Sequence, residues 1–283
     1  MLKELFRSPA IADPTYNTLN TQGIYFSAFT EWYSGFVSKI QSLSAKQISD
    51  SRGDPTIEVT LNVAGGTGSA SVPSGASVGI HEAKIVESVA AVAQINTEIS
   101  VALVGKEFSQ QMLDDFLIKL DGTPDKSRLG GNALLGISLA FSRAVAAEQK
   151  VELYRYFGAL AGNTAFVMPI PMFNVLNGGK HAKNGIEIQE CMLVPIGFSR
   201  MCERVDAAVA CVVTLKTLIE QKGHGTEIGD EGGFAPALKT NDEAMNLLVS
   251  AITAASYTTG QIKLALDVAA SSLNNFDKEK MSA

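Results

Sequence analysis

The strongest constraint on this chain is a change of rhythm near Thr164, beyond which short apolar runs alternate with long helical patterns. MPIPMFNVLNGG reads as a buried strand ending in a glycine-rich loop, and IEIQECMLVPIG as a second strand. A long helix from about Arg200 to Lys222 follows, then the loop IGDEGGFAPAL, a helix over Asn241 to Ser256 and the strand IKLALDVAAS. Alternation of this kind points to a parallel β/α barrel or an open sheet. Polar residues gather just past the strand ends: His181, Gln189, Glu190, Asp230, Glu231 and Asp267. In a barrel those positions line the catalytic face.

Upstream the pattern is different. TIEVTLNV, Thr56 to Val63, alternates as a half-buried strand does, and Gly65 to Ser69 reads as the turn into a second strand. No Gly-Lys-Ser/Thr follows these glycines, so they form a hairpin turn rather than a phosphate cradle. Helical patterns run from about Glu87 to Leu103, Ser109 to Leu120 and Asn132 to Gln149, the last apolar on most faces and therefore buried. LYRYFGALAG closes a further helix, with Gly162 at its C-terminal end. Residues 45–163 thus read as an α+β domain and 164–283 as the barrel-like part. Residues 1–44, rich in aromatics and turn formers, fit neither a secretory signal nor a transit peptide and read as an extension.

Charged residues make up 18% of the chain and the formal net charge is −6. Without a Lys/Arg block there is no electrostatic footprint for nucleic acid or an anionic membrane. The apolar runs break well short of the ~20 residues that a membrane span needs, so a soluble protein is expected. Cys191, Cys202 and Cys211 show neither CxxC spacing nor a disulfide framework and read as small buried hydrophobes in a reducing compartment. Three carboxylates from separate strand ends could hold a hard cation such as Mg²⁺, or divide acid and base roles between them. The plainer reading is that they are caps and loop acids, since DEGG and NGGK are ordinary turn chemistry.

Seven words narrow these alternatives: SDSRGDPTIEV, VPSGASVGIHEA, LDGTPDKSRLGGNALLGISLA, PIPMFNVLNGGKHAKN, QECMLVPIG, GDEGGFAP and LDVAAS, in this order. From about Ser44 to Ser271 the chain resembles the enolase (phosphopyruvate hydratase) family. The resemblance implies an α/β fold with an α+β N-terminal domain, followed by a TIM-like β/α barrel. It implies a cytoplasmic glycolytic lyase that dehydrates 2-phosphoglycerate to phosphoenolpyruvate with Mg²⁺, and a homodimer formed through surfaces involving the N-terminal domain. By the same resemblance Glu231 matches the acid that helps hydroxide depart, Glu190 its partner carboxylate and Gln189 a neighbour close to substrate. His181 matches a substrate-contacting histidine, Asp267 the first ligand of the tight Mg²⁺ site and Ser77 a mobile-loop serine that closes over a second metal. His81 and His224 fall outside these positions and read as surface or capping residues.

Departures from the family pattern qualify these expectations. About three barrel strands can be counted, where a complete barrel takes ~250 residues, so the barrel is expected to be incomplete. The family's later metal carboxylates and lysine base are not found in this sequence, and a lone Asp makes a poor Mg²⁺ site. The chain by itself is therefore expected to be inactive: one half of a split enzyme, or an enolase-derived binding or assembly protein. HEAKIV runs almost directly into the helix near Glu87, where the family has a longer charged segment. Lys180, Lys183 and Glu187 add bulk and charge near His181.

Overall fold

The computed structural model describes residues 37–75, 78–163, 165–182, 184–229 and 231–272. Two compact units divide the chain at Ser74/Gly75, His81/Glu82 and Phe166/Val167. No helix among the described residues is long and apolar enough to cross a membrane.

The first unit is built on an antiparallel meander of β2 (Ser42–Ser49), β3 (Pro55–Val63) and β4 (Gly66–Val72). A two-residue ribbon pairs β1 (Ser38–Lys39) with β5 (Glu107–Phe108). β1 and the start of β2 lie within the stretch that the sequence presents as an extension. Ile57, Val59, Leu61 and Val63, at every second position of β3, are buried as the alternation predicts. Against this sheet lies α4 (Gly131–Glu148), preceded by α1 (Ser88–Gln94), a π-helical turn (Ile95–Ile99), α2 (Ser100–Leu103) and α3 (Gln110–Asp121), and followed by α5 (Leu153–Leu160). Gly162, just past α5, adopts φ +74°, as a helix-ending glycine does.

One expectation is overturned here. Gly66, Gly68 and Ser69 belong to β4 rather than to a turn. A Cβ on Gly68 would stand 2.0 Å from the carbonyl oxygen of Ala140, so the residue is glycine because α4 packs directly on the strand.

The first unit also buries an acid. Asp114, on α3, accepts a hydrogen bond from Gln110 Nε2 at 3.3 Å, and the same amide donates to Ser138 Oγ at 3.0 Å. Ser142 Oγ and Tyr156 Oη donate to Gln110 Oε1 at 2.8 and 3.4 Å. Burial holds the Asp114 carboxyl above its ordinary range, against the hydrogen bonds from Ser138 and Gln110 that favour its charged form. A raised folded-state value means that ionisation opposes folding: the favourable contribution is present in acid and is lost as pH rises through that value. Asp114→Asn keeps the acceptor and removes the charge. It is expected to melt higher than the parent at pH 8, on the order of a few degrees, with the gap closing at pH 4. Melting curves followed by circular dichroism check this, and a gap independent of pH refutes it.

The second unit contains a three-stranded sheet of β6 (Phe173–Asn177), β7 (Glu190–Pro195) and β8 (Ile262–Asp267), in that order. Both pairings are antiparallel, which corrects the parallel arrangement that strand–helix alternation suggests. The reason lies in the connections. A parallel neighbour requires a crossover, usually a helix, but the short connection is tied back by Gly179 N–H to Ile186 O (2.8 Å) and Gly178 N–H to Gln189 O (3.1 Å). β7 therefore returns beside β6. The two long helices, α6 (Met201–Gln221) and α7 (Asn241–Ala254), both fall between β7 and β8. Their buried faces, including Ala207, Cys211, Leu215, Ile219, Leu248 and Ile252, form a core with Leu176, Cys191 and Leu193. Cys191 and Cys211 are buried as expected, whereas Cys202 is exposed.

Candidate active site

The second unit gathers the polar residues at one end of its sheet. Because β7 runs against β6 and β8, its first residue stands at the same end as their last residues. The register places Asn177, Glu190 and Asp267 in one row across the three strands. Asp267 accepts the backbone N–H of Ala269 on Oδ1 at 2.9 Å, which fixes its carboxylate at the strand terminus. Its carbonyl accepts from Gln189 N–H at 3.1 Å.

Glu231 reaches this row by a different route. The loop carrying it is stitched to the free edge of β6: Phe234 N–H donates to Val175 O at 3.0 Å, and Asn177 N–H donates to Phe234 O at 2.8 Å. Asn174 Nδ2 donates to the carbonyl of Glu231 at 3.4 Å. Glycine at 233 is required, since a Cβ there would lie 2.4 Å from Asn177 Oδ1.

His181 sits on a single 3₁₀ turn, Gly179–His181, and is 3% exposed. Its Nε2 lies 3.6 Å from Glu231 Oε1 and its Nδ1 lies 4.0 Å from Glu190 Oε1. Neither nitrogen has a hydrogen-bond partner among the described residues. A buried imidazole with both nitrogens unbonded is costly unless a ligand completes it. The loop around it is braced by Asn184 Nδ2, which donates to the carbonyls of Asn177 (3.0 Å) and Pro236 (3.1 Å). At the N-terminus of α7, Asn241 Oδ1 accepts from the backbone N–H groups of Glu187 (3.0 Å) and Ile188 (3.3 Å).

The electrostatics follow from crowding. Glu190 is pushed up to about 7, first by burial and then by the adjacent Glu231 carboxylate, with Asp267 adding to the repulsion. Among the described residues, no Lys or Arg forms an ion pair with any of the three acids. Ligand atoms of His181, Glu190 and Glu231 all lie within 4.8 Å of one another, a spacing that could hold a metal ion. Oxygen donors in excess of compensating positive charge suit a hard cation such as Mg²⁺; Asp267 pairs with Glu190 across the sheet and is not one of that trio.

Of the residues that the sequence singles out, the structure brings together His181, Glu190 and Glu231, with Asp267 and Gln189 beside them. Gln189 is buried, and its Oε1 has no partner among the described residues. Ser77 and Asp230 lie outside the described residues. His81 is exposed and His224 half-buried. Sequence reasoning passed over Asn177, which is fully buried and donates from Nδ2 to Gln189 O at 3.2 Å while its Oδ1 is unbonded. Its signal was the strand-to-loop word VLNGG, read there only as a turn.

Comparison with known families gives two matches. Residues 40–157 match the model described as enolase, N-terminal domain, and residues 165–282 match enolase, C-terminal TIM barrel domain.

Proposed function

The chain belongs to the enolase family, and from that premise we propose that it dehydrates 2-phosphoglycerate to phosphoenolpyruvate with Mg²⁺. The observation that supports this reading best is the convergence of Glu190 and Glu231 on buried His181, whose two nitrogens have no partner among the described residues, with Asp267 paired beside Glu190. Abstracting a proton beside a carboxylate builds negative charge and hands that proton to a base outside the residues gathered here, and expelling hydroxide calls for an acid.

Glu231 and Glu190 serve the second need. Two abutting carboxylates resist simultaneous ionisation, and Glu190, pushed up to about 7, makes a proton available to the pair. Glu231, whose side chain is 44% exposed and the outer of the two, faces the leaving hydroxyl as its acid. Glu190, beside it, supplies the proton. His181 offers a ring N–H to the substrate, and Gln189 places an unbonded amide oxygen next to Glu190 in the chain. Asp267 would hold Mg²⁺, with Ser77 proposed as a ligand of a second ion. When bound, Mg²⁺ offsets the charge that develops on the substrate carboxylate.

The test is titration of the purified chain with 2-phosphoglycerate in Mg²⁺ by calorimetry, alongside absorbance of the product enol. Binding is expected, and His181→Ala is expected to weaken it about 10–100-fold, the worth of a hydrogen bond to a charged group. A folded chain with neither binding nor turnover overturns the proposal. Binding without turnover favours instead an enolase-derived binding protein, or a half-enzyme whose base comes from a second polypeptide.

A further inference from the structure

Helix α6 has one face in the core of the second unit and another that no described residue covers. On the outer face Val205, Val209 and Val213 are 38%, 54% and 62% exposed. Spaced four residues apart, they form one continuous stripe. Valine is a poor choice for a solvated helix position, because its branched side chain loses rotamer freedom there and contributes no charge. Three in register on one helix form an apolar seam.

The charges beside the seam indicate what covers it. Asp206 and Lys216 are exposed and stand five residues before and five residues after Cys211. With two copies of α6 antiparallel and the twofold axis level with Cys211, Val209 of one copy meets Val213 of the other. Asp206 then lies level with Lys216 of the second copy, and the twofold repeats that pair on the other side. A parallel register would set Asp206 against Asp206 and Lys216 against Lys216. Within its own helix Lys216 makes only a 4.0 Å contact with Glu220, both side chains 54% exposed, so it is free to serve this role.

We propose that the outer face of α6 is a self-complementary surface that docks the same face of a second copy of this chain. This surface lies in the second unit and is separate from the N-terminal-domain dimer that family resemblance implies. It is also independent of the proposed activity. A single helix pair buries an area at the low end for specific interfaces, so the association is concentration-dependent. Its flanking ion pairs are solvent-exposed, and salt weakens it.

Sedimentation velocity of the full chain over a concentration series tests the proposal. The parent chain is expected to self-associate. Val209→Glu, which buries a charge in the seam, and Lys216→Asp, which sets like charges together, are each expected to weaken association about tenfold or more. The double reversal Asp206→Lys with Lys216→Asp is expected to restore it, an outcome that misfolding of a variant would not produce. A monomeric parent chain, association unchanged in Val209→Glu, or a double reversal no better than Lys216→Asp alone overturns the proposal.

Discussion

Glu231→Gln is expected to lower turnover of 2-phosphoglycerate by about 10²–10⁴-fold while leaving the fold at least as stable as before. The glutamine keeps the shape and loses the proton. The backbone carbonyl of Glu231 is held by Asn174 Nδ2, a contact that the substitution leaves in place. Removing one of two crowded carboxylates also lets Glu190 relax from about 7 toward its ordinary range. Because a raised carboxyl contributes stability in acid and forfeits it as pH rises through the raised value, the variant gains most at pH 8 and little at pH 5. Initial rates together with melting curves at the two pH values check both halves. A melting temperature that falls with the rate would give Glu231 a structural role instead.

Gly68→Ala is expected to destabilise the first unit by roughly 3 kcal/mol or more, at the upper end of overpacking penalties. The added methyl would meet two backbone atoms of α4, Ala140 O at 2.0 Å and Ala144 N at 2.5 Å, and neither can swing aside as a side-chain tip would. Helix and sheet must separate, and they share the core formed by Val59, Leu61, Ile137 and Phe141. Gly53→Ala is the matched control. Gly53 adopts φ +87° with nothing within 4 Å of an added Cβ, so it bears only a backbone penalty of about 1–2 kcal/mol. Urea denaturation of the two variants separates a steric cause from a conformational one. Equal losses would mean that β4 and α4 do not pack as described.

The sequence by itself determined a good deal. The alternation Ile57, Val59, Leu61, Val63 required a half-buried strand, and the apolar run of α4 required burial, because both periods follow from backbone geometry. The chemistry of His181, Glu190, Glu231 and Asp267 was legible as polar residues at strand ends. β2 was missed, since SLSAKQIS is too polar to announce a strand and is held by its ladder to β3. The glycines at 66 and 68 read as a turn because a missing side chain looks the same whether it frees the backbone or admits a helix. Only the tertiary structure decided which.

It also decided the direction of β7. Local pattern carries no information about which way a neighbouring strand runs; the hydrogen bonds from Gly178 and Gly179 back to Gln189 and Ile186 set it. Had β7 run parallel to β6, Glu190 would stand at the far end of the sheet from Asn177 and Asp267. Antiparallel pairing puts all three in one row, and the bridge of Phe234 to β6 carries Glu231 to meet them. The residue types were written in the chain, but their convergence depends on strand direction and long-range hydrogen bonds, which no short stretch of sequence encodes.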